Sequence, residues 1–247
     1  MSSRVILSIR GLVKKYKVSK REFLVLNGIN LDIGEEFVSI LGPSGCGKTT
    51  LLKIIAGVEK PDEGVIEYTL GRTPKIGFVF QSPTLLPWMN VIENVMLPLI
   101  ARGVEENVAK EKARRALMLV GLAEFEDFYP DELSGGMKQR VNIARALAVE
   151  PDILLLDEPF SNLDPLTAES LRSEVLDLWL SNVLPIKAII MVTHNVEEAV
   201  LISDKVVILS PRPARVVREV RIDIPRPRSR KMIEIQKIVD QIYEFVS

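Results

Sequence analysis

The chain has 247 residues, 47% hydrophobic and 26% charged, a balance that excludes disorder and low complexity and is ample for a buried core. Its 32 Lys+Arg against 33 Asp+Glu leave a formal net charge of −1, so overall charge gives no reason to expect a nucleic-acid partner. The single cysteine, Cys46, cannot close an internal disulfide, and no apolar run approaches the roughly 20 residues of a membrane-spanning helix. Met1, Ser2, Ser3, Arg4 and Val5 show no charged head followed by an apolar stretch, so no signal peptide is expected and a reducing intracellular compartment is.

Leu24 and Leu26, then Ile29, Leu31 and Ile33, alternate with period two and predict a half-exposed antiparallel sheet near the start. Residues 37–41, 76–80, 153–156, 188–192 and 206–209 are short apolar runs without polar alternation, the pattern of strands buried on both faces of a parallel sheet. Between them lie helical stripes: Val108, Ala113, Ala116, Leu117 and Val120, and later Leu171, Val175 and Leu178. Strands alternating with helices predict an α/β core, preceded by a small antiparallel layer. Residues 211–231 carry seven Arg and one Lys against Glu219 and Asp223. Prolines and alternating Val/Ile interrupt this basic run, which favours a solvated rim around a last hairpin over a surface for lipid or nucleic acid. Ile235, Val239, Ile242 and Val246 mark a closing amphipathic helix.

Gly42, Gly47, Lys48 and Thr49 complete the pattern G-x-x-x-x-G-K-[ST], with Ser44, Gly45 and Cys46 inside it. The run 37–41 precedes it and a helical run beginning at Thr50 follows it. Glycines let successive backbone N–H groups turn inward, and the helix N-terminus adds its positive end. Lys48 is suited to bridge the β- and γ-phosphates of a nucleotide, and the Thr49 hydroxyl to ligate Mg²⁺. Cys46 occupies an unconstrained position of the pattern and reads as a bystander rather than a nucleophile. The apolar run 153–156 ends in Asp157 and Glu158, placed to hold the Mg²⁺ shell and to polarise an attacking water. Phosphate loop and acid pair together imply a nucleoside triphosphatase. Leu133, Ser134, Gly135, Gly136 and Met137 sit just before an apolar helix, so the chain carries a second anion-binding helix N-terminus but only one phosphate loop.

With these motifs the sequence resembles the ABC ATPase family, the nucleotide-binding subunits of ABC transporters, from Leu7 to Arg228. They arrive in order: the phosphate loop, Gln81 after a strand, the Leu133-to-Met137 signature, Asp157 and Glu158, Ser161 to Asp164, and His194 after a strand. The resemblance implies a P-loop NTPase core with a mainly parallel sheet, an N-terminal antiparallel β layer and a helical signature subdomain near residues 85–150. It implies one ABC ATPase domain over 1–247, the motif-bearing cassette at 4–228 and a C-terminal helix at 229–247. Glu158 is then the base, His194 the γ-phosphate switch, and Gln81 touches Mg²⁺ and the water. Tyr16 is the aromatic that stacks on adenine, with a core tyrosine as the alternative. Thr50 completes the nucleotide pocket with residues 42–49, Asp157 and Thr49 hold the metal with Gln81, and Ser161 to Asp164 form a loop across a dimer interface. Two copies would sandwich two ATP, each between one copy's phosphate loop and the other's Ser134, Gly135 and Gly136. Glu158 would hydrolyse them to drive a separate transmembrane permease.

Phe80, Gln81, Leu86, Pro87, Trp88, Glu93 and Val95, with Met137, Phe160 and the Ser210-to-Pro213 segment, resemble the importer branch for nitrate, sulfonate, taurine and similar small solutes. That implies a peripheral subunit at the cytoplasmic face of the membrane, served by an extracytoplasmic solute-binding protein. Trp88 is then expected to contact the permease, with ordinary core as the alternative. An exporter subunit, or a soluble ABC ATPase outside transport, is the competing reading, since the ATPase motifs do not report direction.

Overall fold

The computed structural model describes residues 4–19 and 21–246; Met1, Ser2 and Ser3, on which the expected lack of a signal peptide partly rests, lie outside the described residues. In chain order the elements are β1 (Val5–Val18), β2 (Arg21–Gly34), β3 (Phe37–Leu41), α1 (Lys48–Ile55), β4 (Glu63–Tyr68), β5 (Ile76–Val79), α2 (Val91–Ile100), α3 (Glu106–Leu119), α4 (Gly135–Leu147), β6 (Ile153–Asp157), α5 (Pro165–Ser181), β7 (Ala188–Thr193), α6 (Val196–Ile202), β8 (Lys205–Leu209), β9 (Val216–Arg221) and α7 (Ile233–Val246). They divide into two compact units, one built from the residues up to Thr73 together with those from Lys187 on, the other from Pro74–Ile186. No described helix is long and apolar enough to cross a membrane.

The first unit holds two sheets. One is antiparallel, in the order β2-β1-β4. Ile29, Leu31 and Ile33 are buried while Asn30 and Asp32 face out, as the alternation predicts, but Val25 and Leu26 are both buried and Leu24 only half-buried. The register of β1 against β2 slips between Ile9 and Leu12 and again between Leu12 and Lys14. Such bulges break the period and shift the buried phase. Strand β4, with exposed Glu63 and Glu67 and an exposed Val65, gives no apolar signal and was not legible in the sequence.

The other sheet of this unit sets β3 parallel to both β7 and β8, with Leu41 opposite Thr193 on one side and Ile208 on the other. All three strands are buried along their whole length, as expected of strands covered on both faces. Antiparallel β9 follows on β8. Helix α7 packs on α6 through buried Ile235, Val239 and Ile242.

The basic run is not a solvated rim throughout. Arg228 donates from its guanidinium to the carbonyls of Ile224 at 2.8 Å, Val200 at 2.9 Å, Ser203 at 2.5 Å and Ile222 at 3.0 Å. Arg226 pairs with Asp204 at 2.6 Å and donates to the Ile202 carbonyl. These two arginines satisfy backbone oxygens at the ends of α6 and β9, a task that composition does not reveal.

In the second unit β5 and β6 run parallel, from Ile76 opposite Ile153 to Val79 opposite Leu156. Strand β6 is buried throughout, but β5 is only half-buried at Ile76 and Phe78 and ends at Val79, so Phe80 lies outside it and is exposed. Helices α2, α3 and α4 pack on one another. The buried face of α3 is Ala109, Ala113, Ala116 and Leu117; Val108 is 46% exposed, and Val120 is buried just past the helix end. Spacings of four, three and one from Ala109 form one stripe, and Val108 falls a helical step off it. In α5, Leu171 and Val175 are buried and Leu178 half-buried.

Replacing Arg228 with Met should strip four carbonyls of a charged donor. We expect a loss of about 2–4 kcal/mol, read as a fall in Tm of about 4–16 °C at this chain length; unchanged thermal unfolding would mean that these bonds contribute nothing.

Candidate nucleotide site

In the first unit the chain leaves β3 at Leu41 and enters α1 at Lys48, and residues 42–47 are the turn between them. Helices α2 to α6 are each capped by a side chain, from Asn90, Glu105, Ser134, Asp164 and Asn195 in turn. Helix α1 starts differently: its cap is Gly47, which has no side chain to accept, and its first turn holds no acidic residue. Its start therefore presents the positive end of the helix dipole with no carboxylate in the first turn to offset it, which favours an anion. Gly47 has φ +121°, and a Cβ there would come within 2.8 Å of Val25 Cγ1 and 2.9 Å of Leu26 Cδ2, so only glycine fits. Lys48 is buried, its Nζ donating to the carbonyls of Gly42 at 2.8 Å and Pro43 at 3.2 Å.

Burial pushes the Cys46 thiol above its usual range, against the pull of nearby Lys48 and Arg212, so it is no nucleophile. Tyr16 is half-buried rather than core. Its hydroxyl donates to the Glu59 carboxylate and also bonds Thr50, the residue after Thr49, and Lys14 Nζ stands 5.4 Å from its ring centroid. Burial and the Glu59 bond raise that hydroxyl's pKa. His194 follows β7 and is exposed. The turn that carries it is pinned on both sides: Thr193 Oγ1 donates to Glu198 at 2.6 Å and accepts from the Asn195 amide at 3.1 Å. Because Leu41 and Thr193 are opposite in register, the phosphate loop and His194 leave the same carboxyl end of neighbouring strands.

In the second unit the same geometry recurs. Gln81 and Glu158 each stand two residues beyond the paired Val79 and Leu156, and Gln81 Nε2 donates to Glu158 Oε2 at 3.3 Å. Asp157 is buried at the strand end. Glu158 has φ +43°, an uncommon conformation for a residue with a side chain. Ser161 Oγ donates to the Glu158 carbonyl at 3.0 Å and closes the turn. At the head of α4, Ser134 Oγ accepts from the Met137 amide at 3.3 Å, with Ser134 and Gly135 exposed. A Cβ on Gly136 would come within 2.7 Å of Thr167 Cγ2, so this glycine lets the first turns of α4 and α5 approach. Asp164 caps α5, accepting from the Leu166 and Thr167 amides at 3.1 Å, and the Thr167 hydroxyl, then these amides, hold its carboxyl below the usual range.

One set of residues escaped the sequence reading. Gln139, Asn142 and Arg145 line one side of α4 at a spacing of three. Gln139 Nε2 donates to the Pro159 carbonyl at 2.8 Å, and Asn142 Nδ2 to the Phe80 carbonyl at 2.8 Å. Arg145 donates to the Thr84 carbonyl at 2.7 Å and to Asn142 Oδ1 at 2.9 Å, and burial pulls its pKa down. The signature helix thereby grips both the Gln81 segment and the turn after Glu158. The only hint in the sequence is polar residues recurring on a helix that is otherwise apolar.

The chain is similar to known proteins in sequence and in fold. The family profile described as "ABC transporter" matches residues 26–161. An uncharacterized ABC transporter ATP-binding protein of Methanocaldococcus jannaschii is 45% identical, over 94% of this chain and 87% of that one. An aliphatic sulfonates import ATP-binding protein of Bacillus cereus is 39% identical, over 96% of this chain and 94% of its own length. A dimeric ATP-binding cassette in a post-hydrolysis state, solved with ADP and Pi, superposes with a TM-score of 0.76 at 33% identity, covering 89% of this chain and all of that one.

The α4 side chains are open to a direct test. Asn142→Ala should leave the Phe80 carbonyl and Arg145 short of a partner at a fully buried site, at a cost of about 1–3 kcal/mol in urea unfolding. Amide exchange should rise over residues 80–84; exchange and stability both at the wild-type level would show that Asn142 fastens nothing.

Proposed function

The chain belongs to the ABC transporter family, and on that premise we propose that it is the ATP-hydrolysing subunit of an importer for a small sulfonate-, nitrate- or taurine-like solute. The observation that carries the reading is the start of α1, a helix without a side-chain cap, entered through a glycine turn with Lys48 buried beside it. In this reading residues 42–49 and Thr50 hold the phosphates of ATP, and Tyr16, tied to Thr50 through its hydroxyl, stacks on adenine.

Glu158 is the base and Gln81 orients it. Water attacks the γ-phosphorus, the bond from that phosphorus to the β–γ bridging oxygen breaks, and ADP leaves with the electron pair. The proton of the attacking water goes to a Glu158 carboxylate oxygen, and His194 steadies the γ-phosphate. The Thr49 hydroxyl, the Gln81 amide oxygen and the buried Asp157 carboxylate are hard oxygen donors of the kind Mg²⁺ takes. When bound there, Mg²⁺ neutralises phosphate charge.

Each ATP lies between the phosphate loop of one copy and Ser134, Gly135 and Gly136 of a second. In support, the chain offers two helix N-termini of different make-up, and a relative one-third identical in sequence is a dimer. The solute class is supported by the name of the Bacillus cereus relative and by the residue pattern from Phe80 to Val95. The chain works at the cytoplasmic face of the membrane, attached to a permease, with an extracytoplasmic binding protein delivering the solute and no nucleic acid involved. The permease docks at the exposed Trp88, 71% accessible and so not core.

Glu158→Gln should slow turnover by roughly 10²–10⁴, the worth of general-base catalysis, and trap a dimer with ATP bound. Near-normal turnover would remove Glu158 from the mechanism. Trp88→Ala, expressed in the native cells, should hydrolyse ATP normally when purified alone yet lose its copurifying multi-span partner. Undiminished copurification would place the docking surface elsewhere.

A further inference from the structure

We propose that Arg212 is a positioning residue for the phosphate loop, gripping it from outside through the Gly45 carbonyl and holding it in the shape that receives a nucleotide's phosphates. The proposal rests on the reading of residues 42–49 as a nucleotide site.

Arg212 belongs to the connection between β8 and β9, at residues 210–215, which is far from the loop in sequence. That connection closes on itself: the Ser210 amide donates to the Arg215 carbonyl at 3.0 Å, and Ser210 Oγ accepts from the Arg215 amide at 3.0 Å. It is also tied to β2, the Ala214 amide donating to the Val25 carbonyl at 2.8 Å and the Asn27 amide to the Ala214 carbonyl at 2.9 Å. Pro211 and Pro213 flank the arginine and restrict the backbone on either side of it. The side chain therefore projects from an anchored platform.

From there Arg212 Nη2 donates to the Gly45 carbonyl at 2.8 Å and Nε to the same oxygen at 3.2 Å. Gly45 itself has φ +73°. On the other side of the turn Lys48 holds the carbonyls of Gly42 and Pro43. Three carbonyls of one short turn are thus drawn toward cations. A backbone whose carbonyls are fixed in this way presents its amides in the complementary direction, as an anion nest requires. The strand segment to which the platform is tied is the one whose Val25 and Leu26 side chains pack against Gly47, so β2, the phosphate loop and the β8–β9 connection brace one another. A lysine at 212 would keep the charge but lose the planar fork that places two donors on one oxygen.

The test uses the full purified chain, with binding of a fluorescent ATP analogue measured at equilibrium and ATP as competitor. R212A should weaken binding about tenfold, the worth of one charge-assisted hydrogen bond at a partly exposed place. R212K should recover less than half of that loss on a logarithmic scale. The nucleotide-free Tm should move by no more than about 2 °C, while amide exchange over residues 42–47 rises in R212A.

Wild-type affinity in R212A, or full recovery in R212K, would overturn the proposal, the second because charge alone would then suffice. A large fall in nucleotide-free Tm, or a chain that no longer folds, would make Arg212 a stability residue instead and equally overturn it. The K48A variant separates this from failure of the underlying reading: if wild type and K48A bind nucleotide alike, the loop is not the nucleotide site and both fall together.

Discussion

Everything in the first unit depends on the register of three parallel strands. With β7, β3 and β8 buried end to end, Leu41 is fixed between Thr193 and Ile208, and none of the three can slip without exposing its apolar residues. Parallel strands deliver their following segments to one end of a sheet. Here those segments are the phosphate loop after β3, the His194 turn after β7 and the Arg212 connection after β8. Under the proposed reading the chemistry is spread over three stretches of sequence, and the core holds them in place. In the second unit a single pair of strands does the same for Gln81 and Glu158, each two residues past a matched pair.

Precision at those strand ends needs more than register, because a loop that leaves a sheet is free to move. The structure spends buried polar groups on this. Gln139, Asn142 and Arg145 cost stability unless every donor and acceptor is met, and their partners are the carbonyls of Pro159, Phe80 and Thr84. Those carbonyls belong to the turns that carry Glu158 and Gln81. A purely apolar α4 would fill the same volume but could not hold a backbone oxygen at a chosen distance. Under the proposed reading, a shift of the signature helix therefore pulls on the residues that orient and deprotonate the water.

Much of the architecture was legible in the sequence because it follows from burial. The runs at 37–41, 153–156, 188–192 and 206–209 are strands buried throughout, and the glycine-lysine turn lies where a strand-to-helix junction was expected. What was not legible follows from other physics. Strand β4 pairs through its backbone with little apolar surface. Bulges in the β1–β2 ladder shift the phase of burial after Leu24. Val108 fits a loose count of spacings, yet Ala109 holds the buried stripe. Arg228, Arg226 and Arg212 look alike in composition, but each serves particular backbone carbonyls, and such partners are set by tertiary position alone. The same holds for Asn142, whose donor and acceptor are matched by residues far from it in the chain.

The two anion-facing helix starts differ in a way that bears on their order of use. Helix α1 begins at Gly47, which supplies no side-chain cap, in a turn whose carbonyls are already held by cations. Helix α4 is capped by its own Ser134, so one of its amides is already satisfied and an arriving phosphate meets the remaining amides and the hydroxyl proton. The first is the stronger anion site on elementary grounds, the second a weaker one that gains from being brought to a phosphate already bound. Under the proposed reading, in which two chains share two nucleotides, this asymmetry makes nucleotide capture by the phosphate loop come first and closure onto the partner's Ser134 second. On that reading the order of events follows from how each helix begins, the uncapped start binding first and the capped start adding its contacts once the partner presents the ligand.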